Sequence, residues 1–306
     1  MNLFGAVVAA RNVLYERGVL KQSRLLRPVL SVGNLSVGGS GKTPFVILLA
    51  GLLQQRGVRV DILSRGYGRE TSGVLAVDAQ GDAARFGDEP LLMARRLADV
   101  PVIVGESRYE AGLEAERSFQ TDVHLLDDGF QHRQLARDFD IVLLSPRDLE
   151  DSLLPSGRLR EPLSSLARAD AIVWSNGGDI PELAVTKPVW RVRRRIELPP
   201  ASPSRPFVFC AIAEPERFFR DLERAGAHAV GHRSFRDHHA YGRRDVVELR
   251  EAARSAGADG FLTTEKDAVK LAAFGGELEN TQAVRLVMEL ENPEPAVTTI
   301  LGRMRR

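Results

Sequence analysis

The chain has 306 residues, 43% of them hydrophobic and 27% charged, which is enough to bury a large core and to form two domains. A formal net charge of +1 argues against a surface that attracts nucleic acid, so no nucleic-acid partner is expected. The single cysteine, Cys210, excludes an internal disulfide, and the absence of a long apolar run or a signal peptide predicts a cytoplasmic protein.

The first 30 residues combine apolar and basic side chains. Those that fall near helical spacing are Leu3, Phe4, Val7, Val8, Leu14 and Tyr15. The basic ones are Arg11, Arg17, Lys21, Arg24 and Arg27, opposed only by Glu16. This pattern favours a basic amphipathic helix on a membrane surface. The alternative is a terminal helix packed on its own domain.

A short buried strand is predicted over residues 29–32, followed by the loop SVGGSGKT at 36–43 and a helix that ends at Gly57. Further apolar segments alternate with stretches compatible with helices; they are VRVDILS, VPVIVG, DVHLLDD, DFDIVLLS and DAIVWS. The alternation predicts an α/β fold of the P-loop NTPase-like class, a doubly wound and mainly parallel sheet.

A segment rich in proline and serine, LPPASPSRP at 198–206, marks a domain boundary. We expect a nucleotide-binding domain with its N-terminal helix over 1–200, and a second, smaller α/β domain over 205–306.

The loop at 36–43 ends like a phosphate-binding loop but begins with serine where the usual pattern has glycine. Its predicted nucleotide-binding residues are Ser36, Val37, Gly38, Gly39, Ser40, Gly41, Lys42 and Thr43. Glycines let backbone amides turn toward phosphate oxygens, Lys42 reaches the outer phosphates, and Thr43 offers a hydroxyl to magnesium. The alternative is a chance Gly-Lys-Thr in a surface loop.

An apolar run leads into Asp127 and Asp128 in VHLLDDGFQHR. Carboxylates at the end of a core strand hold magnesium in phosphate-loop enzymes, and which of the two does so stays open. The alternative is a helix cap or a turn before Gly129.

The second domain carries a polar cluster, FRDHHAYGRRD, with Asp237, His238 and His239 in a predicted loop, and FLTTEKDAVK follows it. Two earlier segments, SRGYGR at 64–69 and FGDEP at 86–90, are polar as well. Each of these segments is equally compatible with a solvated turn.

Eight motifs together carry a resemblance; in order they are NLSVGGSGKTP, SRGYGR, GDEP, LLDDGFQH, LLPSGRLREP, AEPERFF, FRDHHAY and LTTEKDAVKL. The chain resembles the tetraacyldisaccharide 4'-kinase family of lipid A biosynthesis. The resemblance implies transfer of the γ-phosphate of ATP, with Mg²⁺, to the 4'-hydroxyl of an acylated disaccharide 1-phosphate, which gives lipid IVA. It also implies peripheral attachment to the cytoplasmic face of the inner membrane through the N-terminal helix, and no obligate protein partner is evident.

By the same resemblance Asp88 is the catalytic base and His238 assists it, with Asp237 and His239 as weaker alternatives. Arg108 matches a family arginine that stabilises the transferring group, and Arg160 is expected to meet the substrate's 1-phosphate. The family usually has LLPAGPLREP where this chain has Ser156 and Arg158, so the contacts of that loop are left open.

Two rival functions remain at this point. A phosphate-loop GTPase normally carries an Asn/Thr-Lys-x-Asp segment, and the nearest match, Thr264 to Asp267, has its lysine one position late. A cytosolic small-molecule kinase shares the predicted fold, so the fold alone does not discriminate against it.

Overall fold

The computed structural model describes residues 3–175, 177–181 and 186–304. Met1 and Asn2 of the predicted N-terminal segment lie outside these residues, as do Arg305 and Arg306 at the end of the predicted second domain.

The first part of the chain alternates strands and helices. Its strands are β1 (Val29–Asn34), β2 (Val60–Ser64), β3 (Leu75–Ala76), β4 (Val102–Val104), β5 (Val123–Asp127), β6 (Phe139–Leu144), β7 (Ala171–Ser175) and β8 (Val189–Glu197). Its helices are α1 (Leu3–Glu16), α2 (Lys42–Gln54), α3 (Ala83–Phe86), α4 (Asp88–Arg96), α5 (Arg108–Ser118) and α6 (Pro146–Leu149), with a 3-10 helix at Leu163–Arg168.

The second part continues the alternation. Its elements are β9 (Pro206–Cys210), α7 (Pro215–Arg224), β10 (Gly231–Ser234), α8 (Arg243–Ser255), β11 (Gly260–Thr264), α9 (Glu265–Leu271), a 3-10 helix at Ala272–Phe274, β12 (Thr281–Leu290) and α10 (Pro293–Met304).

Twelve strands of the described residues form one sheet in the order β10-β9-β11-β12-β8-β7-β6-β1-β5-β2-β4-β3. Neighbours run parallel except for β12 beside β8 and β3 beside β4, which are antiparallel. The predicted α/β fold with a mainly parallel sheet is therefore confirmed.

The central strands are buried on both faces because helices cover each face. Alternate residues of β5 enter different cores, with Leu125 on the side of α2 and Leu126 on the side of α5. On α2 the residues at four-residue spacing, Phe45, Leu49 and Leu53, are fully buried. Each such side chain contributes roughly 1.5–3 kcal/mol through burial. The helices thus fix the strands whose carboxyl ends carry the site.

The predicted domain boundary falls between β8, which ends at Glu197, and β9, which begins at Pro206. Strands β9 and β11 have apolar cores of their own, against α8 on one side and α7 on the other. However, β12 pairs with both β11 and β8, and Met288 and Ile300 pack in the core beneath α2. The division into domains at 1–200 and 205–306 therefore stays a prediction.

Helix α1 has one face buried and one exposed. Gly5, Val8 and Asn12 are buried against the protein, whereas Leu3 is 83% and Val7 61% exposed. Val8 therefore faces inward instead of joining the exposed apolar side chains. No helix in the described part of the chain has both the length and the apolar character needed to cross a bilayer.

Candidate active site

The loop at 36–43 connects the end of β1 to the start of α2. Gly38 and Gly41 adopt positive φ values of 99° and 84°, which glycine tolerates best. The Ser36 hydroxyl donates to Asp148 Oδ1 at 2.7 Å, and both residues are buried. Serine at the loop entrance therefore anchors the loop to α6, while the glycines supply the turn.

Lys42 lies at the centre of a polar group at the mouth of this loop. Its Nζ donates to Asn34 Oδ1 at 2.9 Å and lies 3.5 Å from Asp128 Oδ1. Arg160 donates to both carboxylate oxygens of Asp128, at 2.9 and 2.8 Å, and to Asn34 Oδ1 at 2.5 Å. Sequence reasoning did not assign a role to Asn34, although it is the first residue of the motif NLSVGGSGKTP.

Asp127 ends β5, the strand that lies beside β1 in the sheet, and Asp128 follows it, so both lie at the loop. Burial raises the pKa of Asp127 to about 7, and the neighbouring Glu89 and Asp128 add to the rise. Burial opposes ionisation of Asp128 too, yet Lys42 and Arg160 hold its pKa below the ordinary value. Asp128 also adopts a left-handed backbone with φ 49°, which a non-glycine residue rarely does. The two adjacent carboxylates therefore differ in charge and in partners.

The residues predicted to hold magnesium fit that ion through their oxygen atoms. Asp127 Oδ2 accepts from the Ser64 hydroxyl at 3.1 Å, whereas the buried Oδ1 of Asp127 has no hydrogen-bond partner among the described residues. Asp128 already accepts from Arg160 with both oxygens. In the described part of the chain no three His, Cys, Asp or Glu side chains cluster as a metal site. Magnesium would thus need phosphate or water oxygens beside Asp127 and Thr43.

Asp88 and His238 meet across the two parts of the chain. Asp88 is the first residue of α4, and its Oδ1 accepts from the Glu89 amide at 2.9 Å. His238 Nδ1 lies 3.1 Å from Asp88 Oδ2, and the Tyr67 ring packs edge-on against the imidazole at 4.9 Å. The side chain of Asp88 is only 6% exposed, so its carboxylate is largely covered by the protein.

The pKa values of this pair move apart as expected for an ion pair. Burial opposes ionisation of Asp88, but the hydrogen bond with His238 and the charge of Lys266 hold its pKa below the ordinary value. Burial likewise disfavours charged His238, but the bond with Asp88 outweighs it and raises the pKa of His238. Asp88 is therefore ionised at neutral pH.

His239 and Asp237, the weaker alternatives for the catalytic role, contact other side chains. His239 Nε2 is 3.0 Å from Asp245 Oδ2 at the start of α8, and its ring stacks on Phe235. Asp237 lies 3.5 Å from Lys266 Nζ. Lys266 belongs to the TTEKD segment, whose role the sequence did not reveal.

One cavity of about 940 Å³ is lined by many of these groups, including His238, but not by Asp88 itself. It is lined by the whole loop at 36–43, Asp127 and Asp128, Arg160, and His238 with Lys266. Arg108 lines it as well; burial lowers its pKa more than the nearby Asp127 raises it. The cavity thus brings together cations, carboxylates and a histidine around a phosphate-binding loop, which suits transfer of a phosphoryl group.

Comparisons with known proteins give consistent findings. Residues 1–305 match the profile of the family described as Tetraacyldisaccharide-1-P 4'-kinase. The chain is 50% identical to the tetraacyldisaccharide 4'-kinase of Koribacter versatilis over 313 residues, covering 99% of this chain and 97% of the relative. It is 40% identical to that of Geobacter metallireducens over 318 residues, covering 97% and 94%.

Among solved structures, LpxK from Aquifex aeolicus in complex with ATP matches with a TM-score of 0.81 and 36% identity. The match covers 99% of this chain and 96% of that one. The likeness therefore extends over both parts of the sheet and over the loops between them.

Proposed function

This chain belongs to the tetraacyldisaccharide 4'-kinase family, and we propose from that premise how its residues carry out the reaction. The protein is an ATP-dependent kinase that phosphorylates the 4'-hydroxyl of a tetraacyldisaccharide 1-phosphate, a step of lipid A biosynthesis that forms lipid IVA. The resemblance that the motifs indicated is confirmed. The observation that carries the residue assignment is the shared cavity, which holds Lys42 and His238 together.

Lys42 and the amides of the loop at 36–43 would hold the β- and γ-phosphates of ATP. In the structure the ammonium group is shared between Asn34 and Asp128, which keeps it extended toward the cavity. Magnesium, when bound, neutralises charge on the phosphate oxygens. Thr43 and Asp127 are the residues that would hold it, because Asp128 is already engaged by Arg160.

Asp88 would take the proton of the 4'-hydroxyl. As the sugar oxygen bonds to the γ-phosphorus, the bond from that phosphorus to the bridging oxygen breaks, and the hydroxyl proton passes to the carboxylate. The lowered pKa keeps Asp88 ionised before the reaction, and the hydrogen bond from His238 orients it. Because the side chain of Asp88 is 6% exposed, the hydroxyl must reach a largely covered carboxylate.

Arg108 and Arg160 would stabilise charge on anionic groups in the cavity. The position of Arg160 beside Lys42 and Asp128 favours the transferring phosphate over the distant 1-phosphate as its ligand. Arg108 is buried with its Nε lacking a partner among the described residues, so a donor is available there.

Helix α1 would attach the enzyme peripherally to the cytoplasmic face of the inner membrane. Its exposed side chains Leu3, Val7, Ala10 and Leu14 follow helical spacing and form an apolar stripe. The basic residues 17, 21, 24 and 27 come directly after the helix, where they can attract anionic lipids. A substrate with four acyl chains requires such an approach.

The structure does not favour the GTPase alternative. Asp267, which would have to read guanine, is fully buried and accepts from the Ala211 amide and the Thr264 hydroxyl at 3.0 and 2.7 Å. Its carboxylate therefore holds β9 and α9 together.

Incubation with γ-³²P-labelled ATP and the acylated disaccharide 1-phosphate tests the proposal. We expect label at the 4'-position, none from labelled GTP at equal concentration, and none with a deacylated soluble disaccharide. Label transfer from GTP, or to the soluble sugar alone, would favour one of the rival functions.

A further inference from the structure

Lys266 extends from α9 into a group of acidic and imidazole side chains. Its Nζ lies 3.1 Å from His238 Nε2, 3.2 Å from Glu89 Oε1 and 3.8 Å from Asp88 Oδ2. The lysine side chain is only 15% exposed. A largely buried ammonium needs compensating groups, and the two carboxylates of α4 supply them.

The contact with Nε2 determines which ring nitrogen of His238 carries a proton. An ammonium group has three donors and no acceptor, so Nε2 must present a lone pair to it. The ring proton then lies on Nδ1, where it is donated to Asp88 Oδ2 at 3.1 Å. A second proton on Nε2 would point at the ammonium. Lys266 and Asp88 therefore act on opposite nitrogens: Lys266 opposes a second proton on the ring, whereas Asp88 keeps the first one on Nδ1.

We propose that Lys266 is a positioning residue for the transfer: its ammonium donates to Nε2 of His238 and leaves the ring proton on Nδ1 for Asp88. The ammonium of Lys266 stays charged across the neutral pH range. The position of the ring proton therefore does not depend on a group that titrates near neutral pH. This rests on the proposed function only in taking Asp88 as the proton acceptor.

Other groups around the imidazole determine what happens when Lys266 is removed. The titratable side chains that face or adjoin His238 are Asp88 and Glu89 from α4, Asp237 from its own loop, Tyr67 from the loop after β2, and Lys266 from α9. The three carboxylates favour a protonated ring, and Lys266 alone among these groups opposes it. Without Lys266 we therefore expect Nε2 to take up a proton at higher pH.

The experiment follows His238 directly by NMR in the full-length enzyme labelled with ¹⁵N-histidine. The signals are assigned by their loss in His238→Gln. In the wild-type enzyme we expect the neutral ring to carry its proton on Nδ1 and to leave Nε2 bare. In Lys266→Met we expect Nε2 to protonate about one pH unit higher or more, and Lys266→Arg to restore the wild-type titration.

Kinetics give a second readout. In Lys266→Met we expect kcat to fall roughly 10-fold or more and its acidic limb to move to higher pH, with KM for ATP unchanged. Lys187→Met is the matched control and should change neither, because among the described residues the Lys187 ammonium donates to the backbone carbonyls of residues 167 and 169. If Lys266→Met does not fold, the double variant Lys266→Met/Glu89→Gln is used in its place, because Glu89→Gln removes the carboxylate that has lost its lysine partner.

An unchanged His238 titration in folded Lys266→Met overturns the proposal. So does a raised KM for ATP with an unchanged pH profile, because that result assigns Lys266 to the nucleotide. Near-normal kcat in Asp88→Ala would instead reject Asp88 as the base, and the His238 titration would still test Lys266.

Discussion

His238 Nδ1 lies 3.1 Å from Asp88 Oδ2, although 150 positions separate the two residues in the chain. Asp88 begins α4 in the first part, whereas His238 lies in a loop of the second part with a left-handed backbone, φ 58°. A non-glycine residue keeps that conformation only where its surroundings enforce it, and such strain is concentrated at functional sites. The pair therefore depends on both parts of the chain being in place.

The first prediction concerns the base. Replacing Asp88 by Ala or Asn removes the proton acceptor but leaves the phosphate loop intact. We expect kcat to fall about 10²-fold or more, with ATP affinity little changed. Steady-state kinetics and calorimetric ATP binding measure the two effects.

The neighbouring pair of His239 and Asp245 provides the control, since its nitrogen-to-oxygen distance of 3.0 Å is similar but His239 stacks on Phe235. His239→Gln should keep near-normal kcat. Near-normal kcat in Asp88→Asn would remove Asp88 from the role of base.

The second prediction concerns the phosphate loop. Lys42→Ala should nearly abolish phosphoryl transfer, because the ammonium between Asn34 and Asp128 is the loop's only side-chain cation. Transfer of label from γ-³²P-ATP measures the loss. Lys187→Ala is the matched lysine variant and should retain activity, whereas full activity in Lys42→Ala would mean that nucleotide binds elsewhere.

The third prediction separates the two aspartates. Asp127 has a buried oxygen without a partner among the described residues, whereas Asp128 is held by Arg160. We therefore expect Asp127→Asn to raise the Mg²⁺ concentration for half-maximal activity at least about 10-fold. Asp128→Asn should lower kcat with a smaller change in the Mg²⁺ requirement. The reverse order would assign the metal to Asp128.

Much of the fold was predictable from local pattern. The apolar strands, the glycine loop and the helix after it follow from residues close together in the chain, so Lys42 and Thr43 could be placed at one sheet edge with Asp127 and Asp128 at the end of β5. The contacts of Asn34 could not be predicted, because its partners Lys42 and Arg160 meet it only when the sheet assembles.

Long-range pairing explains the remaining gaps. The antiparallel pairing of β8 with β12, with Arg194 opposite Met288, brings the end of the chain back to the first core. Residues beyond the predicted domain boundary therefore pack in the core of the first part of the chain. Lys266 was missed for a similar reason, since nothing near it in sequence signals a contact with α4.

The fourth prediction concerns the membrane. Replacing Leu3 and Val7, which are 83% and 61% exposed, with Glu should leave folding intact but remove the apolar contact and add repulsion from anionic lipid. We expect the variant to lose co-sedimentation with vesicles of phosphatidylethanolamine and phosphatidylglycerol. Val247→Glu, at an exposed position of α8, is the matched control. Unchanged sedimentation of the α1 variant would reject the attachment.

The fifth prediction concerns stability and pH at a buried histidine away from the cavity. His124 is fully buried, with Nδ1 2.9 Å from Asp61 Oδ2 and Nε2 3.3 Å from Glu116 Oε1. Burial opposes a charged ring, but the hydrogen bonds and charges of the two carboxylates outweigh it and raise the pKa of His124. The folded protein therefore binds this proton more tightly than the unfolded chain, whose histidine has a pKa of about 6.5.

The sign of the effect follows from linkage. The stabilisation is fully present below about pH 6.5 and is lost as pH rises through the folded pKa. His124→Gln should therefore lower the free energy of unfolding by about 3 kcal/mol at low pH, as breaking a buried pair does, and by less at high pH. Urea unfolding at about pH 6 and pH 9 measures this difference, with exposed His228→Gln as the control. A difference that stays constant with pH would mean that His124 is neutral in the folded protein.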